Sequence, residues 1–98
     1  MSRLCACLLV VAAVWLAPPA AAANVDAFKA DLAAAGIPAY AFTTLQMWAE
    51  SACRLVPKSG AYDAQVVAAL PNDVRGNDID LTPAQAAAMW TSAKTNIC

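Results

Sequence analysis

Leu81-Thr82-Pro83-Ala84-Gln85-Ala86-Ala87-Ala88-Met89-Trp90-Thr91-Ser92-Ala93-Lys94-Thr95-Asn96-Ile97-Cys98 is the stretch that decides the fold. Thr82 is placed to cap a helix, Pro83 to take the first helical position where a missing N–H costs nothing, and Gln85 to return the second bond of a capping box. Ala86, Met89, Trp90, Ala93 and Ile97 then recur at the three- and four-residue spacing of one helical face, up to a terminal cysteine. A helix with one apolar stripe needs further helices to cover it.

Three more segments of helical period precede it. The first is expected from about Asp26 to Ala35, with Phe28 and Leu32 on one face. Its end is well marked: Gly36 suits a left-handed position, Ile37 then meets Leu32, and Pro38 forbids continuation. Thr43-Thr44-Leu45-Gln46 reads as a capping box that opens a second helix running to about Val56, ahead of Pro57. Leu45, Trp48, Ala49, Ala52 and Val56 mark its buried face, and Glu50 and Arg54 pair at i, i+4 on its surface. After the turn Lys58-Ser59-Gly60, a third helix is expected from about Ala61 to Leu70, with Tyr62, Val66 and Leu70 in line and Pro71 closing it. Pro71 to Asp80, rich in Asn, Asp and Gly, reads as the longest irregular segment.

The first two dozen residues follow a different grammar. Met1-Ser2-Arg3 carries one charge, Leu4 to Leu16 is apolar, and Ala17-Pro18-Pro19-Ala20-Ala21-Ala22-Ala23 offers small residues to a peptidase. This predicts a secretory signal over 1–23, cut between Ala23 and Asn24. The competing reading, a signal anchor, is disfavoured by Pro18-Pro19, which end the apolar helix before it spans a bilayer. Cys5 and Cys7 would leave with the signal. The localisation expected is secreted or at the cell envelope.

Export changes the reading of Cys53 and Cys98, the two remaining thiols. Outside the reducing cytosol an even pair in a small domain reads as one structural disulfide, beside the alternatives of pairing between chains and of active thiol or metal chemistry. A redox pair generally uses Cys-x-x-Cys spacing, and a zinc site needs further ligands in a chain without histidine. In an up-down-up-down order the second and fourth helices are parallel, so the two cysteines fall at the same end. The fold class expected is therefore all-α: a small four-helix up-down bundle, residues 24–98, stapled by one disulfide.

These landmarks resemble a family of small exported actinobacterial, mainly mycobacterial, proteins, the domain of unknown function 732. The matching features are the export signal, Asp26-x-Phe28-x-x-x-Leu32-x-x-x-Gly36-Ile37, Cys53-Arg54-Leu55, Val67-x-x-Leu70, Leu81-Thr82-Pro83-x-Gln85-Ala86 and the terminal Cys98. The chain departs from that pattern at Glu50 and Ser51, where a glycine is usual, and in lacking a proline after the last cysteine. The resemblance implies a helical exported domain with one disulfide and carries no established activity.

Composition narrows function mainly by exclusion. From Asn24 onward five cations stand against seven carboxylates, a net charge of −2, which gives no field to gather nucleic acid. Without histidine, Ser51, Ser59 and Ser92 lack the base of a hydrolase, so no enzyme is expected. Asp78 and Asp80 are the only tight carboxylate pair and read as a solvated loop. With Asp73 and Asn77 they miss the spacing of a calcium loop, so no metal is expected. Two roles remain. One is a non-catalytic protein-interaction module, for an unknown partner in the envelope or extracellular space, presenting Tyr40-Ala41-Phe42 and the Asn72–Asp80 loop with Asp73, Arg75, Asp78 and Asp80. The other is a carrier holding a lipid or haem-like ligand among Trp48, Trp90, Tyr40, Phe42 and Tyr62; no cofactor is expected to be built in.

Overall fold

The computed structural model describes residues 23–57 and 59–98; the expected leader up to residue 22 lies outside the described residues. Among these, four α-helices and no strand are found: α1 (Val25–Ala34), α2 (Phe42–Leu55), α3 (Asp63–Val74) and α4 (Pro83–Asn96). Short 3-10 turns, Ala39–Ala41 and Arg75–Asn77, lead into α2 and out of α3.

Both ends of α1 follow from local chemistry. The Asn24 side chain accepts from the Ala27 amide at 3.1 Å. At the other end Gly36 has φ 81°, its N–H donates to the Ala33 carbonyl at 3.0 Å, and the Ile37 N–H donates to Leu32 at 3.0 Å. This is the Schellman closure that Gly36-Ile37-Pro38 predicts. At α4, the Gln85 amide donates to Thr82 Oγ1 and Gln85 Oε1 accepts from the Thr82 amide, each at 3.0 Å, so the capping box is complete.

Two boundaries differ from the sequence expectation. The Thr43 cap is unused: α2 begins at Phe42, because the 3-10 turn hands its amides directly to Pro38 and Ala39 and burial of Ala41 draws the segment into the helix. Pro71 does not close α3 either. It sits inside the helix, which runs on to Val74 although proline offers no N–H to the Val67 carbonyl. Leu70 at 0% and Val74 at 1% exposure lie four residues apart on the inner face, and burying Val74 offsets the lost bond. The segment expected to be irregular is correspondingly shorter, and Ile79 and Leu81 within it are buried.

α4 is the axis of the molecule, in contact with each of the other helices. Its Met89, Trp90 and Ala93 pack with Phe28, Leu32, Leu45 and Leu70 in one cluster. The ends fix the directions. Asn24 N–H donates to the Asn96 carbonyl at 2.7 Å and Gln85 Nε2 to the Ala35 carbonyl at 3.2 Å, so α1 runs antiparallel to α4. Asp63, at the start of α3, meets Lys94, so α3 is antiparallel as well. Cys53 near the end of α2 bonds Cys98 beyond the end of α4, with Cα atoms 5.2 Å apart, so α2 is parallel to α4. The architecture is the up-down bundle stapled by one disulfide.

The bridge spans a sequence separation of 45 residues, for which loop-closure entropy gives about 4 kcal/mol. Replacing both cysteines by alanine is expected to lower the unfolding free energy by about 3 to 4 kcal/mol in urea titrations, with the helical far-UV signal retained in native buffer. A change under about 1 kcal/mol would show that the non-covalent contacts already hold α2.

Candidate functional site

The polar residues nearest the core form ties between helices. Ser92, 5% exposed, donates to Asp31 Oδ2 at 2.6 Å, and Asn96 Nδ2 donates to the same oxygen at 3.2 Å and to Ser92 Oγ at 3.1 Å. Ser92 is thus no isolated surface serine: it joins α4 to α1, with its hydroxyl proton committed to a carboxylate. Asp63 takes the Trp90 indole N–H on Oδ1 at 2.8 Å and the Lys94 ammonium on Oδ2. The Lys94 hydrogen bond first, and the Trp90 hydrogen bond second, hold the Asp63 carboxyl below its ordinary value against partial desolvation. In both clusters the side-chain donors are spent on hydrogen bonds between helices. Among the described residues no three metal-ligating side chains converge.

The expected interaction surface is divided by the structure. Tyr40 is 67% exposed and its hydroxyl donates to the Asp78 carbonyl at 2.9 Å, tying the α1–α2 turn to the α3–α4 connection across 38 residues of sequence. Asp78 itself adopts φ 62°, a left-handed position that aspartate tolerates. Arg75 donates to Asn72 Oδ1 at 3.2 Å, and Asp80 is exposed at the same end of the bundle. Phe42, by contrast, is half-buried in α2 against the core, and Ala41 is wholly buried. The three-residue patch reduces to the Tyr40 ring. Asp73 faces elsewhere: its Oδ2 accepts from Trp48 Nε1 at 3.3 Å, across the space between α3 and α2.

That space is a groove of about 700 Å³, open to solvent. α2 and α3 each pack on α4 and run antiparallel, and between them Trp48, Ala52 and Val56 form one wall and Val66 and Ala69 the other. Leu55 and Tyr62 line its edges at 82% and 49% exposure. Tyr62, expected on the buried line of the third helix, lies outside it because α3 starts at Asp63 and leaves Tyr62 in the turn. Asp73 marks one end of the groove, and Pro57 the other. Trp48 sits half-buried at its side, edge-on to Trp90 with centroids 6.2 Å apart and planes at 87°. The interior beneath is filled: Trp90, Phe28, Leu32, Leu45, Leu70 and Met89 are at most 1% exposed.

Sequence reading missed this groove. The signal available was a second apolar line on α2, Met47 to Leu55 with Ser51 between, flanking the core stripe on the side of Trp48 and Ala52. Comparison with known proteins finds no matching family model, no matching curated protein and no matching solved structure.

Asp63 supplies a pH test. Folding lowers its carboxyl, so its stabilisation is complete above the unfolded carboxylate value, near about pH 4, and is lost as pH falls through the folded value. Asp63→Asn keeps an acceptor for Trp90 but removes the charge facing Lys94. The variant is expected to melt below the parent at neutral pH, with the difference closing as acid protonates the folded carboxyl, below the ordinary carboxylate range. A gap in melting temperature that stays constant from neutral pH down through that protonation would rule the ion pair out as its source.

Proposed function

We propose that this protein is an exported, non-catalytic interaction module that takes an apolar segment of a partner chain into the groove between α2 and α3. The observation that carries the reading is the groove itself, an apolar trough with large side chains, Leu55 and Tyr62, left exposed along its edges. Contiguous exposed apolar surface of this kind marks an interaction site. An amphipathic helix meets such a trough with residues at i, i+3, i+4 and i+7.

Extracytoplasmic localisation fits the same reading. The leader over 1–23 has the order of a secretory signal, and a cystine is at home where thiols are oxidised. Among the described residues no helix is long and apolar enough to cross a membrane. The resemblance to the domain of unknown function 732 family agrees with an exported helical domain. The carrier reading is weaker, because the filled interior leaves an apolar ligand only a trough that is open to water along its length.

Titration of the oxidised protein, observed by amide chemical shifts, separates the two. A designed amphipathic helical peptide is expected to move Ala52, Val66 and Ala69, and Ala69→Glu, which sets a carboxylate in the trough without touching the core, is expected to weaken that binding at least about tenfold. A fatty acid that moves these residues while the peptide leaves them unchanged would select the carrier instead.

A further inference from the structure

The groove and the knob that fits it lie on the same face of α2. Trp48 and Leu55 are seven residues apart, hence at nearly the same azimuth, and Ser51 lies between them, so Trp48-x-x-Ser51-x-x-x-Leu55 has the three–four spacing of a helix-pairing seam. All three line the groove. Leu55, 82% exposed, is a free knob, and the small Ser51 midway lets a second helix approach closely. A two-fold axis through Ser51 sets two α2 helices antiparallel and brings each Leu55 over the Trp48 end of the other's groove.

We infer that the occupant of the α2–α3 groove is a second copy of this chain, in a two-fold dimer with Leu55 of each protomer seated beside Trp48 of its partner. The inference rests on the reading of the groove as a binding site and specifies what fills it. Self-complementarity is what an isologous interface requires: the same patch carries the projection and the recess, so two copies satisfy each other and the assembly closes at two. The walls suit this partner. Ala52 and Ala69 are methyl-sized and admit a helix close to the wall, whereas Tyr62, 49% exposed, stands at the edge where it can cover its side. The ionisable residues of α2 do not oppose the pairing. Glu50 already receives Gln46 Nε2 at 3.1 Å within its own helix, and Arg54 lies beside the seam with its stem available to cover Met47 of the second copy.

Sedimentation equilibrium of the oxidised protein tests this directly. The parent is expected to dimerise in the micromolar range. Leu55→Asp is expected to weaken the dimer roughly a hundredfold, since two buried leucines are lost per dimer, while leaving the monomer's helical signal and melting temperature unchanged. Placement of the axis has its own readout: Ser51→Cys is expected to cross-link to itself on mild oxidation, with Cys53–Cys98 intact by peptide mapping, whereas Thr43→Cys on the outer surface does not. A parent that stays monomeric at every concentration, a dimer indifferent to Leu55→Asp, or equal cross-linking of the two cysteine variants overturns the inference. If the parent is monomeric yet the helical peptide still moves Ala52, Val66 and Ala69, only the second copy is excluded and the groove retains its binding role. If neither the peptide nor a second copy engages the groove, both readings fall together.

Discussion

Among the described residues the bond between Cys53 and Cys98 is the one covalent tie between helices, and it joins to α4 the helix that has least else to hold it there. α1 is fixed to α4 by Asp31 with Ser92 and Asn96, by Gln85 to the Ala35 carbonyl, and by Asn24 to Asn96. α3 is fixed to α4 by Asp63 with Trp90 and Lys94. Among the described residues α2 has no hydrogen bond to α4; it rests there through Leu45, Ala49 and Ala52 and the edge of Trp48. Apolar contact of this kind is non-directional, so it leaves a helix free to slide or tilt in a way that a bond at its end does not. The cystine therefore sets where α2 lies, and with it the width of the trough that α2 shares with α3.

The polar ties divide the remaining work. Asp31 and Asp63 each accept two side-chain donors from α4, which fixes axial register as well as contact, and each has its donors within one turn of that helix. Small residues make the arrangement feasible. Ala86 and Ala93 are wholly buried on α4, so neighbouring backbones come close, while Trp90 and Phe28 supply bulk between them. α2 and α3 stay apart from each other, with Trp48 and Asp73 joined across the end of the gap.

Features encoded within a few residues were legible in the sequence. Gly36-Ile37-Pro38 and Thr82-Pro83-x-Gln85 specify helix ends by their own hydrogen bonds, and both take the expected form. The same logic failed at Thr43 and Pro71, where tertiary burial outweighed the local signal: Ala41 and Val74 are drawn inside, and the helix follows them. Ile79 and Leu81 were hidden because a segment rich in turn residues gives no period from which to read burial. The groove was least legible of all. A trough between two helices depends on how far apart they are held, and neither helix carries that distance in its own periodicity; the exposed Leu55 and the second line on α2 were its only trace.

The Trp48–Trp90 pair has an optical consequence. The two indoles are the only ones among the described residues, one half-buried beside the groove and the other enclosed, and they meet edge to face. Transitions of two chromophores this close couple, so the pair should give the near-ultraviolet circular dichroism an exciton signature tied to the seating of α2 on α4. Emission from Trp48 would shift whenever its wall of the groove is covered, whereas Trp90 would stay constant until the bundle opens. The protein thus carries its own two-channel dye, one indole reporting occupancy and the other integrity.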